Sequence, residues 1–536
     1  MKQLFLCIGL FVFIGTLTAC NDTEVETSYT ITFEQADIDS VDAKADDLID
    51  LPFLEDESGF FLGWEDTLGN LHKKSYTVES DMTLTPIFES FEEVLDLRFD
   101  EEQGSVAIVN YTGSAEKLIL PHMIDGSILR TIGMEAFKGT TPREIHIPMT
   151  VYRINMMAFK DMPNLEEVHF YGEYLGTVDT MMSKVEFEEL LENNPVCQTT
   201  QMDTRPTEEN PWIFDTECPV SKVTSQTDPV TIPDGQVFYA YHVEIKASHA
   251  SALSLMQHFG ITPFMGCDNL RIVTLPDKYS YFDPEIFHGV QHLERVHIEN
   301  NPSIYSSDGV LYEKETDNLL YYPSGLLTEN FTVPAHIKHI NSFAFFGDKV
   351  KSLTMHNTLT FDPGAFAYLT TLKDIYIEGE HSLYKAIDGV LYTSDGTKIL
   401  VFPSGKETTS YSTPSTINSI GELAFMNQQH IEHLVLSEGL TTINDNAFLL
   451  LESLQTLDLA STVEYIGPGN FAQREKSLDT IIIRNTDNVI LAPAISIAAT
   501  DALTIYVPDG LIENYKSDMW WQRYQDNILP LSTLEP

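Results

Sequence analysis

A mainly β solenoid of about 22–23 residues per coil is the fold class that this sequence predicts, and three observations predict it. From residue 106 onward phenylalanines recur at a steady interval: Phe137 and Phe159 are 22 apart, Phe264 and Phe287 23, Phe345 and Phe366 21, and Phe425, Phe448 and Phe471 23 each. Between them runs the pattern L-x-x-V/I-x-L/I, in which apolar and polar residues alternate as a short strand with one buried face requires. The stretch SSDGVLYEKETDNLLYYPSG, residues 306–325, has a near copy, AIDGVLYTSDGTKILVFPSG, 80 residues later.

A chain of 536 residues is too long for one ordinary core and suits several domains or a repeat array. Its 80 acidic residues against 31 basic give a formal charge of -49, with 43% hydrophobic residues, a folded rather than disordered composition. No basic stripe exists to displace counterions from a phosphate backbone, which argues against nucleic acid, and no nucleic-acid partner is expected. Adsorption to anionic headgroups is disfavoured for the same reason, and membrane attachment needs another means.

The first 19 residues read as a signal peptide: Lys2, an apolar run from Leu4 to Ile14 too short to span a bilayer well, then Leu17-Thr18-Ala19-Cys20. That closing tetrapeptide resembles the lipobox of bacterial lipoproteins. The resemblance implies lipid on the Cys20 thiol, cleavage before it, and residues 20–28 as a polar tether on the extracellular face of the membrane. Of the other cysteines, Cys7 leaves with the signal. Cys197 and Cys218 are expected as a possible disulfide, with Cys267 left as a buried thiol. The chain has no CxxC pair to support a zinc ribbon.

Residues 29–89 form a first small module, with strands expected at YTITF, FFLGW and DMTLTPIF and a loosely helical acidic stretch from Asp37 to Ile49. Strand, F-x-G-W, then D-M-T-L-T-P-I-F resembles the internalin-type B-repeat, which implies a β-grasp-like spacer. The usual Gly/Asn-rich turn is replaced here by EQADIDSVDAKADD. Asp37, Asp39 and Asp42 are spaced loosely like an EF-hand start, but Asp42 stands where that loop needs glycine and no glutamate follows at its twelfth position; these carboxylates read as a solvated face.

The repeats occupy 106–171 and 261–502. A single coil is too thin to bury its apolar side chains, so coils stack, their strands forming a parallel sheet along one side and their phenylalanines a spine. Those nine phenylalanines are therefore core rather than a ligand box. The segment VAIVNYTGSAEKLILPHMIDGSILRTIGMEAF and the register F-M-G-C-D-N-L in FMGCDNL resemble BspA-type leucine-rich repeat proteins. The resemblance implies a leucine-rich repeat solenoid in a bacterial surface protein, and a binding role toward host or bacterial macromolecules.

Three features interrupt or close the array. Phe287 to Phe345 and Phe366 to Phe425 each span about 35 residues more than one coil, and the DGVLY segments filling them read as inserted β-hairpins, with Asp308-Gly309 and Asp388-Gly389 as turns. Residues 172–260 form a larger insertion, with a helix expected in SKVEFEELLENNP, between Ser183 and Pro195, and strands expected in VTIPDGQVFYAYHVEI. Its Trp212, Ile213 and Phe214 are either an exposed binding hot spot or the insertion's own core. Residues 503–536 read as a cap: a strand, then an amphipathic helix from Leu511 to Asn527. Leu511, Tyr515, Met519 and Tyr524 would cover the last coil, and Glu513, Lys516 and Arg523 would face water.

No catalytic or cofactor motif is present: HExxH, GxSxG, GxGxxG and GxxxxGK[ST] are all missing. His288 and His292 stand four apart, but in a turn-to-strand region rather than on a helix, which disfavours coordination. The expectation is a lipid-anchored, non-catalytic cell-surface binding protein, an adhesin, with a protein or glycan partner and no cofactor or metal. Two alternatives stay open: a carbohydrate-binding or hydrolytic accessory with its site in 172–260, and a structural envelope protein.

Overall fold

The computed structural model describes residues 28–34, 38–100, 104–172, 262–277, 282–471, 478–497 and 503–534, and within 173–261 several strands with a few flanking positions. Cys20, Cys197 and Cys218 lie outside the described residues, as does Asp37. Two compact units divide the chain, one of residues up to 56 with 61–88, the other of 57–60 with 89–536.

In the first unit the strands order as Val41–Lys44, Ser28–Phe33, Met82–Ser90, Gly59–Glu65 and Leu71–His72, with Ser28–Phe33 parallel to Met82–Ser90. The three expected strands are present, but the stretch expected to be loosely helical is not helical. It makes strand Val41–Lys44, antiparallel to Ser28–Phe33, and strand Leu48–Asp50, antiparallel to Ser75–Thr77. Asp46 turns the chain between them at φ 66, and Ala43 is buried against the sheet. Burial in the sheet overrides the helical preference of its Ala and Lys residues. Trp64 is fully buried, its indole N–H donating to the Pro52 carbonyl at 2.8 Å, with Phe33 packed edge-on at 4.8 Å.

The second unit is the leucine-rich repeat solenoid. Every coil carries a longer strand, such as Glu144–Pro148, Glu167–Tyr171 or Thr456–Leu459, stacked in parallel on its neighbours. A second ladder was not expected. Two-residue strands such as Arg153–Ile154, Thr442–Ile443 and Tyr465–Ile466 also stack in parallel. They escape sequence patterning because only one inward residue marks each. All nine spine phenylalanines are 2% exposed or less. Consecutive rings lie close: Phe137–Phe159 5.4 Å, Phe159–Phe264 5.4 Å and Phe345–Phe366 5.9 Å between centroids.

The DGVLY units do more than insert a hairpin. Each is a three-stranded meander, Ile304–Ser307, Val310–Glu313 and Leu319–Tyr321, repeated as Tyr384–Ile387, Val390–Thr393 and Lys398–Val401. Asp308 (φ 50) with Gly309 (φ 85), and Asp388 (φ 49) with Gly389 (φ 77), hold the positive φ pair of a type I′ turn. The third strand enters the short-strand ladder as a coil strand, parallel to His339–Ile340 or Ser419–Ile420. Each copy also supplies an aromatic rung: Tyr322 stacks on Phe345 at 5.6 Å, and Phe402, 80 residues on, stacks on Phe425 at 4.7 Å. The PSG segments tie back to the preceding coil: Gly325 N–H donates to Leu293 at 2.7 Å and Gly405 N–H to Leu372 at 2.8 Å. Each unit thus closes one longer-strand sheet and opens the next, giving sheets over 117–298, 330–378 and 410–530.

At the start of the solenoid strand Leu95–Asp100 lies antiparallel on Ser105–Tyr111. Beneath it the buried Glu89 carboxylate accepts from the Tyr111 hydroxyl at 2.6 Å, Ser114 N–H at 2.8 Å and Ala115 N–H at 3.1 Å. At the far end the expected single helix is broken. It runs only over Ile512–Ser517, because Asp518 turns extended and its Oδ1 accepts from the amides of Trp520 and Trp521. The break exposes Met519 (67%) and buries Trp521 instead. Tyr515, Trp521 and Tyr524 then satisfy the last coil's backbone: Ile490 N–H donates to the Tyr515 hydroxyl, the Trp521 indole to Ile490 O, and Ile497 N–H to the Tyr524 hydroxyl. Strand Ile528–Pro530 adds in parallel to Thr504–Val507. Among the described residues no helix is long and apolar enough to cross a membrane.

Candidate binding surface

Strands buried on one face divide their residues into an inward and an outward row. In the sheet over 117–298 the inward row is Leu118, Ile145, Val168, Val273 and Val296, in register and fully buried. The outward rows are a different chemistry. His146, His169, Thr274 and His297 stand opposite one another on four adjacent strands, and Glu144 faces Glu167 beside them.

These outward groups form a hydrogen-bonded network. His146 donates from Nε2 to Glu144 at 2.5 Å, and His169 from Nε2 to Glu167 at 2.8 Å, which leaves its Nδ1 to accept from the Thr274 hydroxyl at 3.0 Å. The two imidazoles lie 5.0 Å apart between centroids. Lys117 pairs with Glu144 at 2.9 Å. The hydrogen bond from His146, reinforced by Lys117, holds the Glu144 carboxyl down to about 2 against the opposing effect of burial. His297 continues the row, donating to Glu299 at 3.0 Å. Next to the network Arg143 makes a two-pronged contact with Glu166, from Nε at 3.1 Å and from Nη2 at 2.7 Å.

The insertion has a sheet of its own, Thr177–Ser183, Ala240–Lys246, Val220–Gln226 and Trp212–Ile213, all antiparallel. Ser183, expected to cap a helix, ends a strand, and most of that helix lies outside the described residues. Trp212 and Phe214 are 4% and 7% exposed while Ile213 is 51% exposed, as alternation on an edge strand dictates. Of the two readings open for these residues, Trp212 and Phe214 take that of core, and Ile213 alone of the three faces out. The solenoid closes over the insertion: Glu167–Tyr171 pairs directly with Ile272–Leu275.

Of the remaining candidates, Cys267 is a buried free thiol, donating to Phe159 O at 3.0 Å and pushed up to about 12 by burial. It is not a reactive group. His288 packs on Tyr368 at 5.0 Å, and His292 meets the Asp268 carbonyl at 3.0 Å. Asp42 accepts from the Thr30 hydroxyl at 2.8 Å on its strand. Among the described residues one group of histidine and carboxylate side chains is placed to hold a metal ion: Glu144, His146 and His169, with donor atoms within 4.8 Å of one another. Sequence reasoning missed it. The available signal was EIH, EVH and RVH at the same point of three coils, residues 144–146, 167–169 and 295–297.

The model of the BspA type leucine rich repeat region matches the chain in six copies, over residues 127–190, 217–319, 324–408 and 400–513. Among solved structures the chain is similar to a leucine-rich repeat protein from Eubacterium ventriosum, at 12% identity over 78% of this chain and 77% of that one, with TM-score 0.30. It is similar to a leucine rich cell surface protein from Faecalibacterium prausnitzii, at 16% identity over 77% and 87%, TM-score 0.30. A third is the pneumococcal vaccine antigen PcpA, at 13% identity over 82% and 95%, TM-score 0.26. No curated protein matches the chain.

Proposed function

The chain belongs to the BspA-type leucine-rich repeat family, and on that premise we propose that it is a non-catalytic protein of the bacterial cell surface, anchored by lipid on Cys20. It binds a protein or glycan partner through the outward face of the repeats. One observation carries the reading: the inward row over 117–298 keeps a single aliphatic chemistry from coil to coil, while the outward rows of the same strands gather histidines and glutamates on one face. Selection for folding alone accounts for the first and makes no demand for the second. The lipobox-like Leu17-Thr18-Ala19-Cys20 supports the anchor.

The repeat face is preferred over the insertion because Trp212 and Phe214 are spent on packing, which leaves Ile213 as a minor contributor. Capture of matrix proteins, mucin glycans or bacterial surface extracts by the full chain, beside a chain lacking residues 177–246, tests this. The partner is retained by the shortened chain if the repeats bind it and lost if the insertion does. For the anchor, Cys20→Ala releases the chain from the membrane fraction, and its retention there would contradict lipidation.

A further inference from the structure

We propose that Glu144, His146 and His169 form a binding site for a divalent ion of the zinc class, with a fourth position open to water or to a ligand from outside. The inference does not rest on the surface-binding reading, since an ion needs no macromolecular partner. Two imidazoles and one carboxylate are a donor set that zinc takes readily, and three protein ligands with an open position is a recognised arrangement. Their donor atoms lie within 4.8 Å of one another. Around a tetrahedral ion with bonds of about 2.0–2.1 Å they would stand roughly 3.4 Å apart, a closure that side-chain rotation supplies without moving the strands.

The strands themselves are the reason for the placement. In a parallel ladder, residues in register on adjacent strands are held about 4.8 Å apart by the backbone, so His146 opposite His169 is a fixed spacing rather than a chance approach. Glu144 lies two residues before His146, on the same outward face. Glu167 sits behind His169, its carboxylate on Nε2 at 2.8 Å, in the position of the outer partner that orients a metal-bound imidazole. All three ligands are partly buried, with side-chain exposures of 22%, 23% and 30% for His146, His169 and Glu144. Two groups oppose the ion: Lys117, paired with Glu144 at 2.9 Å, must swing away for that carboxylate to coordinate, and the Thr274 hydroxyl must turn from the His169 Nδ1 that Glu167 leaves for the ion. Lys117 thus sets the affinity rather than forbidding the site.

Titration of the chelator-treated full chain with Zn2+, and with Co2+ as a spectroscopic probe, tests the site. One equivalent of each ion binds saturably, and Co2+ develops the absorption of a low-symmetry, nitrogen- and oxygen-ligated centre. His146→Ala and His169→Ala each weaken binding by more than about ten-fold, and Glu167→Gln weakens it by about 10–100-fold. Lys117→Met tightens it, and His433→Ala, an outward histidine of the last sheet, leaves it unchanged. Absence of stoichiometric uptake, or uptake equal in the unmodified chain and both histidine variants, overturns the proposal. Should a variant melt early without metal, anomalous scattering at the zinc edge from crystals of the unmodified chain decides. A peak bounded by the three side chains supports the site, and a peak elsewhere or none overturns it.

Discussion

The sheets over 117–298 and 410–530 share one inward row and differ in the outward ones. Inward, Leu118, Ile145, Val168, Val273 and Val296 in the first correspond to Leu434, Leu457, Ile481, Ile505 and Ile528 in the second, all buried, with Tyr411 opening the second row. Outward, the first carries Glu144, Glu167 and three histidines, whereas the second runs Ser410, His433, Thr456, Thr480 and Thr504 in one row and Ser412, Val435, Asp458, Ile482 and Tyr506 in the other. Stacking constrains only the side of a strand that meets the next coil's core. The opposite side is left mostly to Ser, Thr and aliphatic residues with one ion pair, Asp458 with Arg484, in one sheet, and to a histidine and glutamate network in the other, and that difference marks where recognition is to be sought.

Breaking the shared inward half has the largest effect. Phe159→Ala removes the ring that stacks on Phe264 across the insertion, at a cost of about 3–5 kcal/mol, and Leu457→Ala costs about 2–5 kcal/mol in the second sheet. Denaturant unfolding reads both, and values below 1 kcal/mol would mean that the coils do not depend on their spine. The units that separate the sheets come next. Gly309→Ala and Gly389→Ala each force a side chain onto a positive φ and against backbone of the preceding coil, Arg295 Cα at 3.0 Å or Asp374 Cα at 2.9 Å. Each costs about 1–3 kcal/mol, and the two agree if the 80-residue duplication is structurally equivalent.

Alkali sharpens the contrast between the inward rows. Burial, with a hydrogen bond donated to Tyr392, pushes the Tyr411 hydroxyl well above the ordinary tyrosine range, and the first sheet's row contains no tyrosine. A raised folded value contributes stability that is present below the unfolded value near 10 and is lost as pH rises past it. Melting between pH 9 and 12 is therefore less alkali-sensitive in Tyr411→Phe than in the parent, and equal sensitivity would remove Tyr411 from the account. The smallest effect is on the outward row of the second sheet, where Thr456→Ala stays within about 0.5 kcal/mol.

How far the architecture was legible depends on how many residues mark each element. The spine was readable because a large aromatic returns every coil, and the PSG and DGVLY segments because they occur twice. The two-residue ladder, with a single inward side chain per strand, left no pattern to read. Strand Val41–Lys44 is held by its neighbour Ser28–Phe33, a contact between segments about ten residues apart that local preference does not encode. The cap's burial of Trp521 in place of Met519 follows from two hydrogen bonds to Asp518. The His146 and His169 pair needed the register of two strands, since neither residue is distinctive within its own coil.

The most direct test of the division between rows replaces Glu144, His146, Glu167 and His169 together by serine and measures capture of surface partners and melting temperature on the same preparation. The account predicts saturable binding by the parent chain, lost in the fourfold variant while the melting temperature moves by no more than a few degrees. Binding of equal strength in both, or loss of binding only together with unfolding, would contradict it.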